Sequence, residues 1–240
     1  MLTCLPTNEN FQPWFLGINP RGLVPVLVHD GVVHIESNDI IQYLEQKFPT
    51  PKLIPAGHEN EIAALLRHED DLHLDLRTLS FRFVFNPPGP PKPAAMLESY
   101  AANGTGTVRG VKDHDKEIQI EFWQRAAKEG FTDERARTSA HKFRVAFDAL
   151  DQRLAQHPYL MGDTLNVLDI AWLIYAHRLS LGGYPFPRLH PRVAMWMEKL
   201  RTRPEFAREI AMRPEAVTRL EATRRSQVEA GKTLEAVAGF

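Results

Sequence analysis

The sequence predicts an α+β protein, with a small N-terminal part that contains a β-hairpin and a larger part that is entirely helical. Two short apolar runs flank Asp30-Gly31, and a stretch rich in proline over residues 48–60 interrupts every regular pattern. Beyond it, apolar residues recur at helical spacing, and no strand is predicted after residue 60. We therefore predict an N-terminal domain over residues 1–55 and an all-helical domain over residues 58–240.

The first elements follow from local patterns. The apolar runs over residues 23–29 and 32–35 are joined by Asp30-Gly31, a dipeptide that supplies the positive φ angles of a tight hairpin turn. Pro25 lies within the first run although proline cannot donate a hydrogen bond to a sheet. After Ser37 the apolar residues have helical spacing until Pro49, which predicts an amphipathic helix.

The rest of the chain is predicted to be helical with one long interruption. Residues 59–85 are periodic, prolines between 87 and 91 end that helix, and the stretch rich in glycine over residues 99–110 is predicted to be a loop. Helical spacing returns over residues 116–130 and 132–157. The last 37 residues are charged and rich in alanine, and they predict a helical, partly loose tail.

A helix cap is predicted before the apolar segment that starts at Val167. Asn166 can accept a hydrogen bond from an amide of the first turn, while the Asp169 carboxylate, three positions later, can accept from the amide of Asn166. This arrangement satisfies donors that would otherwise be unpaired inside a core. Taken alone it is a common structural feature.

Composition excludes several classes of protein. The 240 residues are 43% hydrophobic and carry 29 basic against 30 acidic side chains, so no nucleic-acid partner is expected. No apolar run approaches the roughly 18 residues that cross a bilayer, so no membrane partner is expected. The start lacks a secretory leader pattern, so secretion by that route is not expected. A single cysteine, Cys4, favours a reducing compartment and a cytoplasmic location.

Three segments, residues 19–27 (NPRGLVPVL), 29–49 (HDGVVHIESNDIIQYLEQKFP) and 159–172 (YLMGDTLNVLDIAW), together resemble the cytosolic glutathione transferase superfamily. The resemblance covers nearly the whole chain. It implies a truncated thioredoxin-like domain that binds glutathione, followed by an all-α domain with a hydrophobic substrate site. Residues 190–206 resemble the closing helix of that family, and the chain is also similar to its bacterial β-etherase branch, which cleaves aryl ethers with glutathione.

The resemblance also implies roles for four residues near the hairpin. The peptide bond before Pro25 is expected to be cis, so that the N–H and C=O of Val24 can pair with the cysteinyl backbone of glutathione as if it were another strand. Ser37 would bind the γ-glutamyl carboxylate at the positive end of a helix, and Glu36 would accept from its ammonium group. The structural alternative for Glu36 and Ser37 is a solvated helix cap.

The implied reaction is attack of the glutathione thiolate on an apolar electrophile or aryl ether, which would make the protein a glutathione transferase with glutathione as co-substrate. The family places its thiol-ionising Tyr, Ser or Cys after a first strand, ahead of the part that matches here, so the catalytic residue is expected in a missing N-terminal segment. Either the start is an internal methionine of a longer product, which we favour, or the element has been lost. The alternative function is a non-catalytic binding or interaction module.

Residues for the second substrate are expected on the first long helices. Arg77, Phe81, Phe83 and Phe85 could line a hydrophobic site for an electrophilic small molecule, although core packing is an equal alternative for each phenylalanine. The full-length form is expected to be a homodimer. No metal is predicted, because the ten histidines show no metal-ligand spacing, and Cys4 is interpreted as a bland thiol rather than a catalytic one.

Overall fold

The computed structural model describes residues 8–86, 92–103, 107–108 and 111–240. Cys4 lies outside them. The chain forms two compact units, which are described separately: unit 1 contains residues 1–50 and 88–130, and unit 2 contains residues 51–87 and 131–240. The linear domain boundary expected between residues 55 and 58 stays a prediction.

Unit 1 combines short strands with helices. After a 3-10 turn at Glu9–Phe11, its elements are α1 (Pro13–Leu16), β1 (Val26–His29), β2 (Val32–Ile35), α2 (Ser37–Lys47), α5 (Ala94–Ala102), β3 (Thr107–Val108), β4 (Val111–Lys112) and α6 (Asp115–Glu129).

Unit 2 is helical throughout its described residues. Its elements are α3 (Glu59–Asp71), α4 (His73–Ser80), a π-helical turn at Phe81–Phe85, α7 (Asp133–Arg153), α8 (Val167–Gly182), α9 (Phe186–Leu189), α10 (Pro191–Arg201), α11 (Pro204–Ile210), α12 (Pro214–Glu229) and α13 (Leu234–Ala238). The predicted α+β fold class is confirmed.

The predicted hairpin is present. Strands β1 and β2 pair antiparallel, with Val26 opposite Ile35 and His29 opposite Val32. Asp30 and Gly31 both have positive φ angles, 49° and 77°, which matches the twist of the two strands. Helix α2 then starts at Ser37, where the sequence predicts it.

The expectation of no strand after residue 60 is wrong. β3 and β4 form a two-residue antiparallel ladder, with Thr107 opposite Lys112 and Val108 opposite Val111. The β-branched residues Thr107, Val108 and Val111 favour a strand, but the surrounding glycines dominate the composition of this stretch and make it look like a loop.

The core of unit 2 is built on α7, α8 and α10 and is rich in aromatic rings. Phe147 is fully buried, and its ring lies 4.8 Å from the ring of Phe186 and 5.8 Å from the indole of Trp172. Such tilted aromatic contacts add to the free energy gained by burying the rings. Helix α8 passes through this core and is apolar on most of its faces.

The buried start of α8 is satisfied by the predicted capping box. The Asn166 side chain accepts from the Leu168 amide at 3.0 Å, and the Asp169 carboxylate accepts from the Asn166 amide at 3.0 Å. Asp169 also accepts from the Leu160 amide at 3.0 Å and from the Trp196 indole N–H at 2.8 Å. This one carboxylate therefore links α8 to the preceding loop and to α10.

The prediction of a partly loose tail is wrong at its end. Leu234, Val237 and Ala238 of α13 are buried. Arg137 of α7 donates to the Val237 carbonyl at 3.0 Å, and Thr233 caps α13 by accepting from the Ala236 amide at 3.2 Å. Only a few apolar residues are needed to anchor this short helix. The charged composition of the whole tail therefore gives no sign of it in the sequence.

Replacing Asn166 tests the cap. Asn166→Ala should lower the free energy of unfolding by about 1 kcal/mol or more, because it leaves a buried amide of α8 without an acceptor. Asn166→Ser keeps a side-chain acceptor and should cost less. Urea denaturation followed by circular dichroism measures both values, and an unchanged midpoint for Asn166→Ala would show that the cap contributes nothing.

Candidate functional site

The loop between α1 and β1 presents Val24 at the surface. The Val24–Pro25 peptide bond is cis, as expected, and Val24 is 43% exposed. Among the residues that the structure describes, none forms a hydrogen bond with the Val24 amide or carbonyl. Strand β1 itself begins only at Val26. This segment thus offers a free donor and a free acceptor to an extended ligand.

Ser37 lies at the same end of the hairpin. Because Val26 pairs with Ile35, Val24 and Ser37 each lie two residues beyond the last pair at that end. Ser37 is exposed and is the first residue of α2, an 11-residue helix whose N-terminus carries partial positive charge. The hairpin register therefore places the two predicted binding residues at the same end of the hairpin.

Glu36 precedes the helix in an uncommon backbone conformation, with φ 69° and ψ 121°. Its carboxylate forms an ion pair with Arg21 at 2.6 Å, and its side chain is 34% exposed. The carboxylate is thus already paired with a cation of the protein. It still has lone pairs for a second donor, since a carboxylate offers about four acceptor positions.

Arg21 was missed by the sequence reasoning, and it organises this region. Its guanidinium binds Asp113 in a bidentate manner at 2.8 and 2.9 Å and also contacts Asp115 at 2.7 Å. Burial alone would lower the pKa of Arg21, but its bonds to Asp113 and Glu36 outweigh burial and raise the pKa. No local motif marks this residue, because Asp113 lies 92 positions away in the sequence.

The loop that carries Arg21 is fixed on its other side by buried polar groups. Asn19 is fully buried and donates to the Leu23 carbonyl at 2.9 Å, while Asn10 donates to the Gly22 carbonyl at 2.6 Å. Gly22 has a φ of +62°, and a Cβ atom there would lie 3.0 Å from the Phe11 ring. The Tyr100 hydroxyl donates to the Arg21 carbonyl at 2.6 Å.

The residues predicted to contact a second substrate belong to unit 2. The Phe81 ring lies 5.2 Å from Phe85 and 5.4 Å from Phe131, and Phe85 is 50% exposed. Phe83 is only 1% exposed and belongs to the core. Phe81 and Phe85 are thus neighbours on a π-helical turn, while Arg77 has a different environment.

Arg77 takes part in a chain of polar groups between α3, α4 and α8. It donates to Nε2 of His73 at 2.8 Å, and Nδ1 of His73 lies 3.4 Å from the Tyr175 hydroxyl. Tyr175 is hydrogen-bonded to Glu69. Partial loss of hydration next to the protein and the nearby Arg77 charge both lower the pKa of His73, so the ring is neutral and can accept from Arg77.

Glu69, at the inner end of this chain, is 7% exposed. Burial raises its pKa to about 7, against the opposing effect of its bond to Tyr175. The carboxyl group therefore exchanges its proton near neutral pH. Burial also raises the pKa of the Tyr175 hydroxyl, which keeps its proton and donates.

In the described part of the chain, no group of three or more His, Cys, Asp and Glu side chains is arranged to hold a metal ion. No helix within those same residues combines the length and apolar character needed to cross a membrane.

Two family models match the chain. The model described as glutathione S-transferase, N-terminal domain, matches residues 2–52, and the model described as glutathione S-transferase, C-terminal domain, matches residues 134–199. The first match contains Val24, Pro25, Glu36 and Ser37, and the second contains the capping box.

Individual proteins are similar over most of the chain. Protein LigF of Sphingobium sp. SYK-6 is 27% identical over 206 residues, which is 82% of this chain and 76% of that protein. The crystal structure of beta-etherase LigF from this strain has a TM-score of 0.68 at 25% identity, covering 88% of this chain and 86% of that one.

Other matches are shorter or more distant. Maleylacetoacetate isomerase of Pseudomonas aeruginosa is 41% identical over 64 residues, 24% of this chain and 30% of that protein. A glutathione transferase of Burkholderia graminis, solved with two glutathione molecules bound per subunit, shares the fold with a TM-score of 0.57 at 19% identity, covering 88% and 75% of the two chains.

Arg21→Gln should lower the free energy of unfolding by about 3 kcal/mol or more, because it leaves Asp113 and Glu36 without their cation. Arg125→Gln is the matched control in the same unit, since the Arg125–Glu129 pair is exposed, and it should cost about 0.5 kcal/mol at most. Urea denaturation gives both values. Equal effects of the two changes would mean that the Arg21 ion pairs are not structural.

Glu69→Gln tests the buried carboxyl group through pH. The folded state raises the pKa of Glu69 from its ordinary 4.5 to about 7, so its stabilising contribution is complete below pH 4.5 and is lost as the pH rises through 7. Glutamine cannot ionise and still accepts from Tyr175. The free energy of unfolding of the variant, relative to that of the wild type, should therefore be higher at pH 8 than at pH 5. Urea denaturation at both pH values measures it.

Glu221→Gln, which changes an exposed carboxylate of α12, is the control for that comparison. It should follow the wild type at both pH values. A Glu69→Gln variant that does the same would show that Glu69 ionises normally in the folded protein.

Proposed function

Because this chain belongs to the glutathione S-transferase family, we propose that unit 1 binds glutathione and that the protein transfers an organic group to the glutathione sulfur. The observation that carries the proposal is the unpaired Val24 main chain at the same end of the hairpin as the N-terminus of α2. Each feature suits a different part of an extended, anionic tripeptide.

The Val24 main chain suits the middle of glutathione. A peptide that lies beside this segment can accept from the Val24 amide and donate to its carbonyl, as a neighbouring strand would. Main-chain pairing of this kind does not depend on the Val24 side chain. It therefore provides affinity and fixes the direction of the ligand.

The start of α2 suits the γ-glutamyl end. A carboxylate placed there can accept from the Ser37 hydroxyl and from the Ser37 amide, and the helix dipole favours its negative charge. Glu36 can accept from the ammonium group while it keeps its ion pair with Arg21. Arg21 also holds the Glu36 carboxylate in place before the ligand arrives.

The proposed chemistry is nucleophilic substitution at carbon. The glutathione thiol loses its proton, the sulfur forms a bond to an electrophilic carbon of the second substrate, and the bond from that carbon to the leaving group breaks. With an aryl ether the leaving group is a phenolate, which then takes up a proton. Aryl ethers are favoured by the similarity to beta-etherase LigF, and a cytoplasmic homodimer remains a prediction.

Ser37→Ala should weaken glutathione binding about tenfold, because a hydrogen bond to a charged carboxylate is lost. Ser226→Ala, at an exposed position of α12, is the matched control and should bind as the wild type does. Isothermal titration calorimetry with glutathione measures both. If glutathione binds the wild type but Ser37→Ala binds equally well, the proposed position of the γ-glutamyl carboxylate is wrong.

Turnover is measured separately from binding. The wild type is incubated with glutathione and either 1-chloro-2,4-dinitrobenzene or a phenacyl aryl ether, and release of chloride or phenol is followed. Faster release than without protein supports the transferase. Glutathione binding with release at the uncatalysed rate would favour the alternative function, a glutathione-binding module. Absence of glutathione binding would overturn both proposals.

A further inference from the structure

An arginine of unit 2 has an unusual environment. Arg178 lies on α8 and is partly buried, and its guanidinium carbon lies 5.1 Å from the centre of the Phe85 ring. This distance is within the range of a cation–π interaction. Burial lowers the pKa of Arg178, but an arginine retains its charge at neutral pH.

Other arginines of the same unit are paired with carboxylates. Arg82 contacts Asp133 at 2.8 Å, and Arg192 contacts Asp151 at 2.9 Å. Among the residues described by the structure, none provides a carboxylate or another hydrogen-bond acceptor to the Arg178 side chain. A charge that is partly removed from water without an anionic partner is costly, so an anion that bound there would be favoured.

The surroundings of Arg178 show which kind of anion fits. Phe85 is 50% exposed and its ring is 5.2 Å from that of Phe81. Ile174, one helical turn before Arg178 on α8, is 47% exposed. The guanidinium is thus next to exposed aromatic and aliphatic side chains. A ligand with both an aromatic ring and a carboxylate would satisfy the cation and cover these apolar groups.

We propose that Arg178, Phe85 and Phe81 form a subsite for an aromatic carboxylate, and that the second substrate carries such a group. The assignment to a substrate rests on the proposed transferase function, whereas binding of the anion itself does not. The guanidinium binds the two carboxylate oxygens through parallel N–H donors, and the ring of the ligand packs against Phe85. The subsite thereby selects acidic aromatic compounds over neutral ones of the same shape.

Calorimetry with two probes of equal shape tests the subsite. We expect 2-naphthoate to bind about ten times more tightly than neutral 2-naphthamide, because only the acid forms charge-assisted bonds. Acetate, which lacks the ring, should bind more weakly than 2-naphthoate. Equal binding of the acid and the amide to the wild-type protein would overturn the proposal without any variant.

Substitutions then show which residue causes the preference for the acid over the amide. Arg178→Gln should reduce the ratio of the two affinities to about one, whereas Arg178→Lys should retain part of it, because an ammonium group attracts the acid but cannot bind it in a bidentate manner. Arg208→Gln, an exposed arginine of α11, is the charge-matched control and should leave the ratio unchanged. Phe85→Leu keeps the cation and should weaken both naphthyl probes alike.

The outcomes separate this subsite from the proposed function. Circular dichroism shows whether each variant is folded. If Arg178→Gln does not fold, the subsite is tested by the ratio of the affinities for 2-naphthoate and 2-naphthamide in the wild type, Arg178→Lys and Phe85→Leu. A preference for the acid that survives Arg178→Gln overturns the subsite. Titration of the same samples with glutathione tests the proposed function independently, since loss of glutathione binding with retained 2-naphthoate binding contradicts only the transferase.

Discussion

The arrangement of unit 1 depends on the charge of Arg21. One guanidinium is bound by Asp113, Asp115 and Glu36, so it ties the loop before β1 to the residue before α2 and to the start of α6. With three carboxylates close together, removal of the cation would leave like charges facing one another. The same contact holds the carboxylate of Glu36, a residue with a positive φ angle, and Ser37 follows directly. A structural ion-pair cluster therefore also sets the position of the proposed binding residues.

Two buried carboxylates of unit 2 show how the number of donors determines what such a group can do. Asp169 receives hydrogen bonds from Leu160, Asn166 and Trp196, and this environment suits a fixed structural link. Glu69 has a phenol as its hydrogen-bond donor, and burial raises its pKa to about 7. The first carboxylate joins elements of the core, whereas the second responds to pH in the physiological range.

Sequence reasoning succeeded where the cause of a structure is local. The Asp30-Gly31 turn, the start of α2 at Ser37 and the cap formed by Asn166 and Asp169 all follow from residues within three positions of each other. It failed where the cause is distant or depends on very few residues. Nothing near Arg21 predicts Asp113, and neither the two-residue strands β3 and β4 nor the five-residue helix α13 is long enough to show a periodicity.

Each unit is assembled from two separate stretches of the gene, and this limits how the protein could be divided. A fragment that ends at residue 50 contains Arg21 and Glu36 but not the two aspartates of residues 88–130 that neutralise the guanidinium. A fragment that begins at residue 51 carries that aspartate segment without its arginine. Exchange of the N-terminal 50 residues between homologues would therefore give a folded protein most readily when residues 88–130 are exchanged together with them.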